Sequence, residues 1–121
     1  MVKTKILTSR KKARRLLEIA LAKKPLQPLV LDLTLVNLIW DYFIIVTARV
    51  PVHSQAITEE LVKKSKQEGF SIHHIEDDYE GGWVLIDYFD VAFHIFSEEK
   101  RKFYKLEKLF SQAKKVRFRF K

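Results

Sequence analysis

Asp87, Asp90 and His94 are the residues of this chain best suited, by type and spacing, to do chemistry. They lie within the stretch Trp83 to Phe96, WVLIDYFDVAFHIF. Two apolar, β-prone runs are joined there by a short segment holding both carboxylates, and the imidazole interrupts the second run. Buried carboxylates and imidazoles cost free energy unless something satisfies them. Either the strand ends face solvent, or the hairpin presents acids and a large aromatic to a partner. Together with Asp41, the three could converge at one end of a sheet as a two-carboxylate acid/base or magnesium site. That would be the chemistry of a metal-dependent nucleotidyltransferase or phosphohydrolase-like enzyme. The ordinary reading makes Asp87 and Asp90 turn-forming carboxylates and His94 a hydrogen-bonded histidine in the sheet, and spacing favours it.

Two further clusters invite the same question. His73-His74-x-Glu76-Asp77-Asp78 has metal-binding residue types. Neighbours on a strand point to opposite faces, however, so His73 and His74 cannot easily share an ion, and the acids after them read as a solvated turn. Ser54 sits beside His53, but adjacency along the chain says little about geometry and nothing completes a triad. A P-loop, a GxGxxG turn and a GxSxG elbow are absent, and three glycines in all cannot supply such a phosphate cradle. No cofactor is expected.

The elements that must position these residues read as follows. Thr8 or Ser9 caps a helix whose Ala13, Leu16, Leu17, Ala20 and Leu21 share one face, ended by Pro25 and Pro28. Leu29–Leu35 suits a strand, with Asn37 in a turn, and Trp40–Ala48 is almost continuously apolar, as a central strand covered on both faces would be. Pro51 breaks that strand; a helix follows from about His53 to Glu68, and Gly69 is its natural C′ residue. Phe70–Ile75 is a third strand, Glu80-Gly81-Gly82 a turn, and the opening hairpin follows. Ser97 caps a last helix with Phe103, Leu106, Leu109 and Phe110 on its apolar face. The tail VRFRFK alternates apolar and basic residues, as an edge strand or a partly ordered arm does. The order αββαβββα predicts an α/β (α+β) fold, a mixed five-stranded sheet flanked by helices, with one parallel pair across the long central connection.

At 121 residues and 47% hydrophobic content, one domain spanning 1–121 is expected to fold around a single core. There are no cysteines, which removes disulfides and thiolate chemistry. Asp32, Asn37 and Asp41 interrupt the best membrane candidate and the N-terminus lacks an apolar h-region, so a cytoplasmic protein is the expectation. The net charge of +8 is unevenly spread. Residues 1–24 hold nine bases and one acid, and residues 98–121 ten bases and three acids. Residues 25–97 carry a net −7, and Glu76 to Asp90 includes six acids and no base. Residues 1–8 and 114–121 read as flexible basic ends. Such ends are solvated surface or contacts to nucleic-acid phosphates.

Four segments carry a resemblance. WDYFIIVTA resembles D-Y-F-V-I-A-T-G. HSQAI resembles, imperfectly, the start of S-x-x-Q-x-x-A-I. WVLIDYFDVAFHIF is similar to W-x-L-x-D-x-G-D-V-V-V-H-I-F, and RKFYKLEKLF to R-x-F-Y-x-L-E-x-L-W. In order, and across about Ala20 to Ala113, they identify the chain as resembling the ribosomal silencing factors of the Iojap family. The resemblance implies a small domain of nucleotidyltransferase-like shape without the catalytic signature, often a homodimer. It implies a non-enzymatic translational repressor that binds the large ribosomal subunit through its ribosomal protein fourteen and blocks joining of the small subunit when nutrients are scarce. Phe89 departs from the family glycine, Arg49-Val50-Pro51-Val52 from a Gly-Thr-Ser-type loop, Asp77 from a glycine and Phe110 from a tryptophan.

Charge and resemblance agree on one point. Ribosomal proteins are typically basic, and an acidic patch at Glu76–Asp90 complements them. The expected partner-binding residues are Glu76, Trp83, Leu85, Asp87, Tyr88, Phe89 and Asp90, with the aromatic and aliphatic ones as anchors. The basic termini are available to ribosomal RNA.

Overall fold

The structure, a computed structural model, describes residues 2–120, with side chains from Thr8 onward. The side chains of Lys3 and Lys5 in the basic N-terminal run lie outside the described residues, as does Lys121. The chain order is α1 (Val2–Leu21), β1 (Leu26–Asp32), β2 (Tyr42–Ala48), α2 (Pro51–Glu68), β3 (His74–Asp78), β4 (Trp83–Asp87), β5 (Val91–Ser97), α3 (Glu98–Tyr104), α4 (Leu106–Leu109) and β6 (Lys114–Val116). One sheet runs β3-β4-β5-β2-β1-β6. Strands β2 and β5 pair in parallel, and the other neighbours pair antiparallel. The mixed α+β fold with one parallel pair is as expected. The sheet has six strands rather than five, because Lys114–Val116 of the basic tail pairs with β1, Val116 opposite Val30.

The two central strands are buried along nearly their whole length, as their unbroken apolar sequences require. Ala13, Leu16, Leu17 and Ala20 recur on one face of α1 and are buried against Ile44 and Val46 of β2, Val84 and Ile86 of β4, and Ile57 and Leu61 of α2. Pro51 starts α2, where its missing N–H costs nothing, and Gly69 ends it at φ 79°. Both long helices therefore cover the same face of the sheet. The opposite face carries a smaller cluster, Leu31, Leu33, Phe43, Ile45, Ala92, Phe96 and Leu106. Its cover is the short C-terminal segment, and that cover thins out toward β4 and β3.

Several local expectations shift. Helix α1 begins at Val2, not at a Thr8 or Ser9 cap, and Ser9 is buried in it. Of the two basic ends, residues 2–8 lie in α1 and Lys114–Val116 form β6. The third strand lies later than Phe70–Ile75: Glu76, Asp77 and Asp78 pair with Leu85, Val84 and Trp83, so these acids stand on the edge strand rather than in a turn. Charged side chains on an edge strand deter pairing with other chains. Ser97 caps α3 as expected, its Oγ accepting from the Lys100 N–H at 3.1 Å. Lys105 at φ 48° then breaks the helix in two. Of the expected apolar face, Leu106 is buried, while Phe103 and Leu109 are more than 70% exposed.

The turn joining β4 to β5 is unusual. The Asp90 N–H donates to the Tyr88 carbonyl at 3.0 Å, closing a three-residue turn around Phe89 at φ 77°. The position thus adopts the left-handed backbone that glycine takes most easily, with an exposed ring that rests 4.8 Å from His73. A non-glycine residue there costs about 1–2 kcal/mol. Phe89→Val is expected to lose about a further 1 kcal/mol in urea unfolding, because β-branching tolerates that φ worst. Phe89→Gly is expected to match or exceed the parent, and a glycine variant weaker than the valine one would contradict this account.

Candidate docking site

Strand alternation places Trp83, Leu85 and Asp87 of β4 on the sheet face away from α1 and α2, opposite Asp78, Glu76 and His74 of the edge strand β3. Glu76, Asp78, Trp83 and Leu85 line a depression of about 240 Å³. Its floor is apolar and its rim acidic. Glu76 is exposed and bonded to His74 at 2.7 Å, while Trp83 and Leu85 are half-buried.

Trp83 is held firmly. Its ring lies 4.6 Å from Tyr104 of α3 and 5.0 Å from Phe96 of β5, and its Nε1–H donates to His94 Nδ1 at 3.1 Å. His94 in turn meets Phe43 edge-on at 4.6 Å. Accepting at Nδ1 leaves the neutral ring's proton on Nε2, which is buried without a hydrogen-bond partner. Burial pushes the His94 imidazole down to about 3. It is thus neutral at physiological pH and acts as a fixed acceptor for the tryptophan.

The candidate catalytic constellation does not converge. Asp90 turns toward the helices and pairs with Lys12 of α1 at 2.6 Å, with Lys12 also donating to the Tyr88 carbonyl. Asp87 faces the other way, accepting from the Phe89 N–H at 2.8 Å and from Trp40 Nε1–H at 3.4 Å. Asp41 donates its backbone N–H to the Asp90 carbonyl, and its Oδ2 is buried without a partner. His94 is 4% exposed. No group of three or more His, Asp or Glu that could hold a metal forms among the described residues, and His73 packs on Phe89 while His74 pairs with Glu76. His53 is occupied by the Arg49 N–H and the Lys23 carbonyl, and Ser54 is buried.

Two expected partner-binding residues leave the docking set. Tyr88 is fully buried, its hydroxyl bonded to Ser65 at 2.7 Å and its pKa pushed up to about 12 by that burial. Asp90 is committed to α1. Tyr88 continues the inward row of Val84 and Ile86, which alternation sets opposite to Trp83, Leu85 and Asp87. Phe89 remains exposed at the end of the face. Sequence reasoning missed the loop between β1 and β2, where Leu35, Leu38 and Ile39 are 97%, 104% and 65% exposed. Leu35 lies in this loop and not in the expected strand, because Asp32 Oδ1 accepts from the Thr34 N–H and hydroxyl, and Asn37 Oδ1 accepts from the Ile39 and Trp40 N–H groups. Asp-x-Thr followed by Asn was the available turn signal.

A larger cavity of about 510 Å³ opens at the other end of β2 and β5, but its lining sets Arg49 and Lys100 against Glu80, Glu98 and Glu99 and favours no charge.

The family model described as "Ribosomal silencing factor during starvation" matches residues 6–120. The chain belongs to this family. The ribosomal silencing factor RsfS of Halalkalibacterium halodurans is 37% identical over 94 residues, 78% of this chain and 80% of that protein. The RsfS of Bacillus subtilis is 35% identical over 85 residues, 70% of this chain and 72% of that one. A crystal structure from Bacillus halodurans superposes with a TM-score of 0.79 at 30% identity, covering 90% of this chain and 99% of its own. One from Chromobacterium violaceum, at 23% identity, shares the fold with a TM-score of 0.80 over 93% of this chain and 92% of its own. Phe110 packs edge-on against Phe43 at 5.0 Å.

The buried histidine has a measurable consequence. Above about pH 6.5 His94 is neutral whether folded or unfolded. Between there and about pH 3 the unfolded chain takes up a proton that the native state refuses, so stability falls as pH falls. The expected loss from this group is about 2 kcal/mol between pH 7.5 and pH 5. Urea unfolding of His94→Gln, which keeps an acceptor for Trp83, is expected to be distinctly flatter over that range. An unchanged pH slope would contradict the assignment.

Proposed function

We propose that this silencing factor binds the large ribosomal subunit by docking its β3–β4 face on ribosomal protein fourteen, and that its bulk then keeps the small subunit from joining. The observation that carries this reading is the apolar depression formed by Trp83 and Leu85 inside an acidic rim of Glu76 and Asp78. A rigid aromatic and an aliphatic neighbour supply the buried contact that dominates binding energy. The carboxylates complement a basic ribosomal protein, steering the encounter and fixing its register. Trp83 is held by His94, Phe96 and Tyr104 before any partner arrives, which lowers the ordering cost of binding. Asp87 and Phe89 extend the surface toward the exposed Leu38 and Ile39. The action is occupancy of a surface in the cytoplasm, so neither a cofactor nor turnover is needed.

The test is sedimentation of the purified protein with separated large and small subunits. The parent is expected to travel with the large subunit and to reduce subunit joining. Glu76→Lys changes an exposed side chain, so the fold is retained, and it is expected to weaken co-sedimentation by roughly tenfold or more. Leu85→Ala is expected to weaken it by a similar factor. Parent-like sedimentation of both variants would overturn the site, and binding to the small subunit alone would overturn the function.

A further inference from the structure

The two basic ends of the sequence, more than a hundred residues apart, meet in space. Beyond β6 the tail continues along the flank of α1 with alternating exposure, Arg117 and Arg119 outward, Phe118 and Phe120 inward. Both phenylalanines pack against the helix-side core. The guanidinium of Arg10 lies 5.3 Å from the Phe118 ring centre, and that of Arg14 lies 4.8 Å from the Phe120 ring centre. Arg14 also donates to the Arg119 carbonyl at 2.7 Å. The tail is thereby pinned to the helix by contacts that leave the cationic heads in solvent.

Arg10, Lys11, Arg14, Arg117 and Arg119 are all exposed, and none takes part in an ion pair among the described residues. The basic residues of α1 that do pair, Lys12 and Arg15, lie on its other flank, with Asp90 and with Glu18 and Glu68. The result is a ridge of uncompensated charge, four-fifths arginine, along the β6 side of the molecule. The acidic β3 edge is at the far end of the sheet. The protein is therefore polarised along its strand order.

We propose that this ridge is a binding site for the phosphate backbone of RNA, formed by α1 and the folded-back tail together. Arginine forks match phosphate oxygens, and here Arg10 and Arg14 are held in place before contact by the rings they lie over, while the docked tail sets Arg117 and Arg119 beside them. Phe118 and Phe120 face inward, so they cannot stack on bases or enter a bilayer; the ridge reads backbone and not sequence. Taking the polyanion to be RNA rests on the ribosomal reading above. A face that docks on a ribosomal protein at one edge, with a phosphate-binding ridge at the other, suits a surface where protein and RNA adjoin.

The test uses the full-length protein and a fluorescent 20-base-pair RNA duplex of arbitrary sequence, with affinity measured against salt. The parent is expected to bind at about 50 mM salt, with affinity falling steeply as salt rises. Arg117→Gln with Arg119→Gln is expected to weaken binding by about tenfold and to lower the log–log salt slope by about two. Lys63→Gln with Lys66→Gln on α2 removes the same charge elsewhere and is expected to leave the slope unchanged. Phe118→Ala with Phe120→Ala keeps every charge but frees the arm, and is expected to weaken binding several-fold. Circular dichroism checks that each variant is folded. Three outcomes would overturn the proposal: equal weakening by the two charge pairs, no effect of the phenylalanine pair, or preference for phosphatidylglycerol vesicles over RNA at matched salt. Because the probe contains no ribosomal protein and Glu76→Lys is expected to bind it normally, failure here is distinguishable from failure of the docking face.

Discussion

Strands β2 and β5 run parallel at the centre of the sheet, in register from Tyr42 opposite Val91 to Ala48 opposite Ser97, and the other elements are arranged around that ladder. A parallel pair needs a crossover, which here includes α2 and the β3–β4 hairpin. Packing α2 back on the sheet buries Ile57 and Leu61 and puts α1 beside it on the same face. Each turn of that logic consumes apolar surface on one side only. The other side is left to what remains of the chain after β5, two short helices and a loop. These reach Phe43, Ile45 and Phe96 but not β3, and the uncovered part of the face is the candidate docking site.

That site illustrates how a polar group inside a sheet is retained for its geometry. Replacing His94 by an apolar residue would remove a buried, unpartnered Nε2, whose burial costs about 1–3 kcal/mol. Its Nδ1, however, is the acceptor that orients Trp83. The acids of β3 have two compatible roles. On an edge strand they discourage unwanted pairing, and toward a basic partner they supply attraction. Lys12 and Asp90 do the opposite job, closing a charged pair at the seam between α1 and the β4–β5 turn, where it fastens the helix layer to the strained backbone at Phe89.

Much of this was legible in the residues. The unbroken apolar runs of β2 and β5, the heptad-like spacing in α1, Pro51 and Gly69 around α2 and the Ser97 cap all act locally, and local chemistry is what a sequence displays. The motif around Trp83 gave the family. What was not legible depended on side-chain direction or on distant pairing. Alternation sets Trp83, Leu85 and Asp87 in one row and Val84, Ile86 and Tyr88 in the other, but which row the helices cover is decided by packing that the local residues do not display. The strand at His74–Asp78 carries little apolar signal because its residues are mostly charged, and only pairing with Trp83–Asp87 makes them a strand. Lys105 in a left-handed conformation is unmarked by any glycine, so one expected helix became two. The tail's alternation was visible, but its docking on α1 rests on rings meeting guanidinium groups over a hundred residues away.

Hydrogen exchange of the protein, free and bound to large ribosomal subunits, tests the central claim most directly. Residues 74–87 of β3 and β4 are predicted to show the strongest new protection, while α2, on the opposite face, exchanges as in the free protein. New protection centred on α2, with residues 74–87 unchanged, would contradict the account.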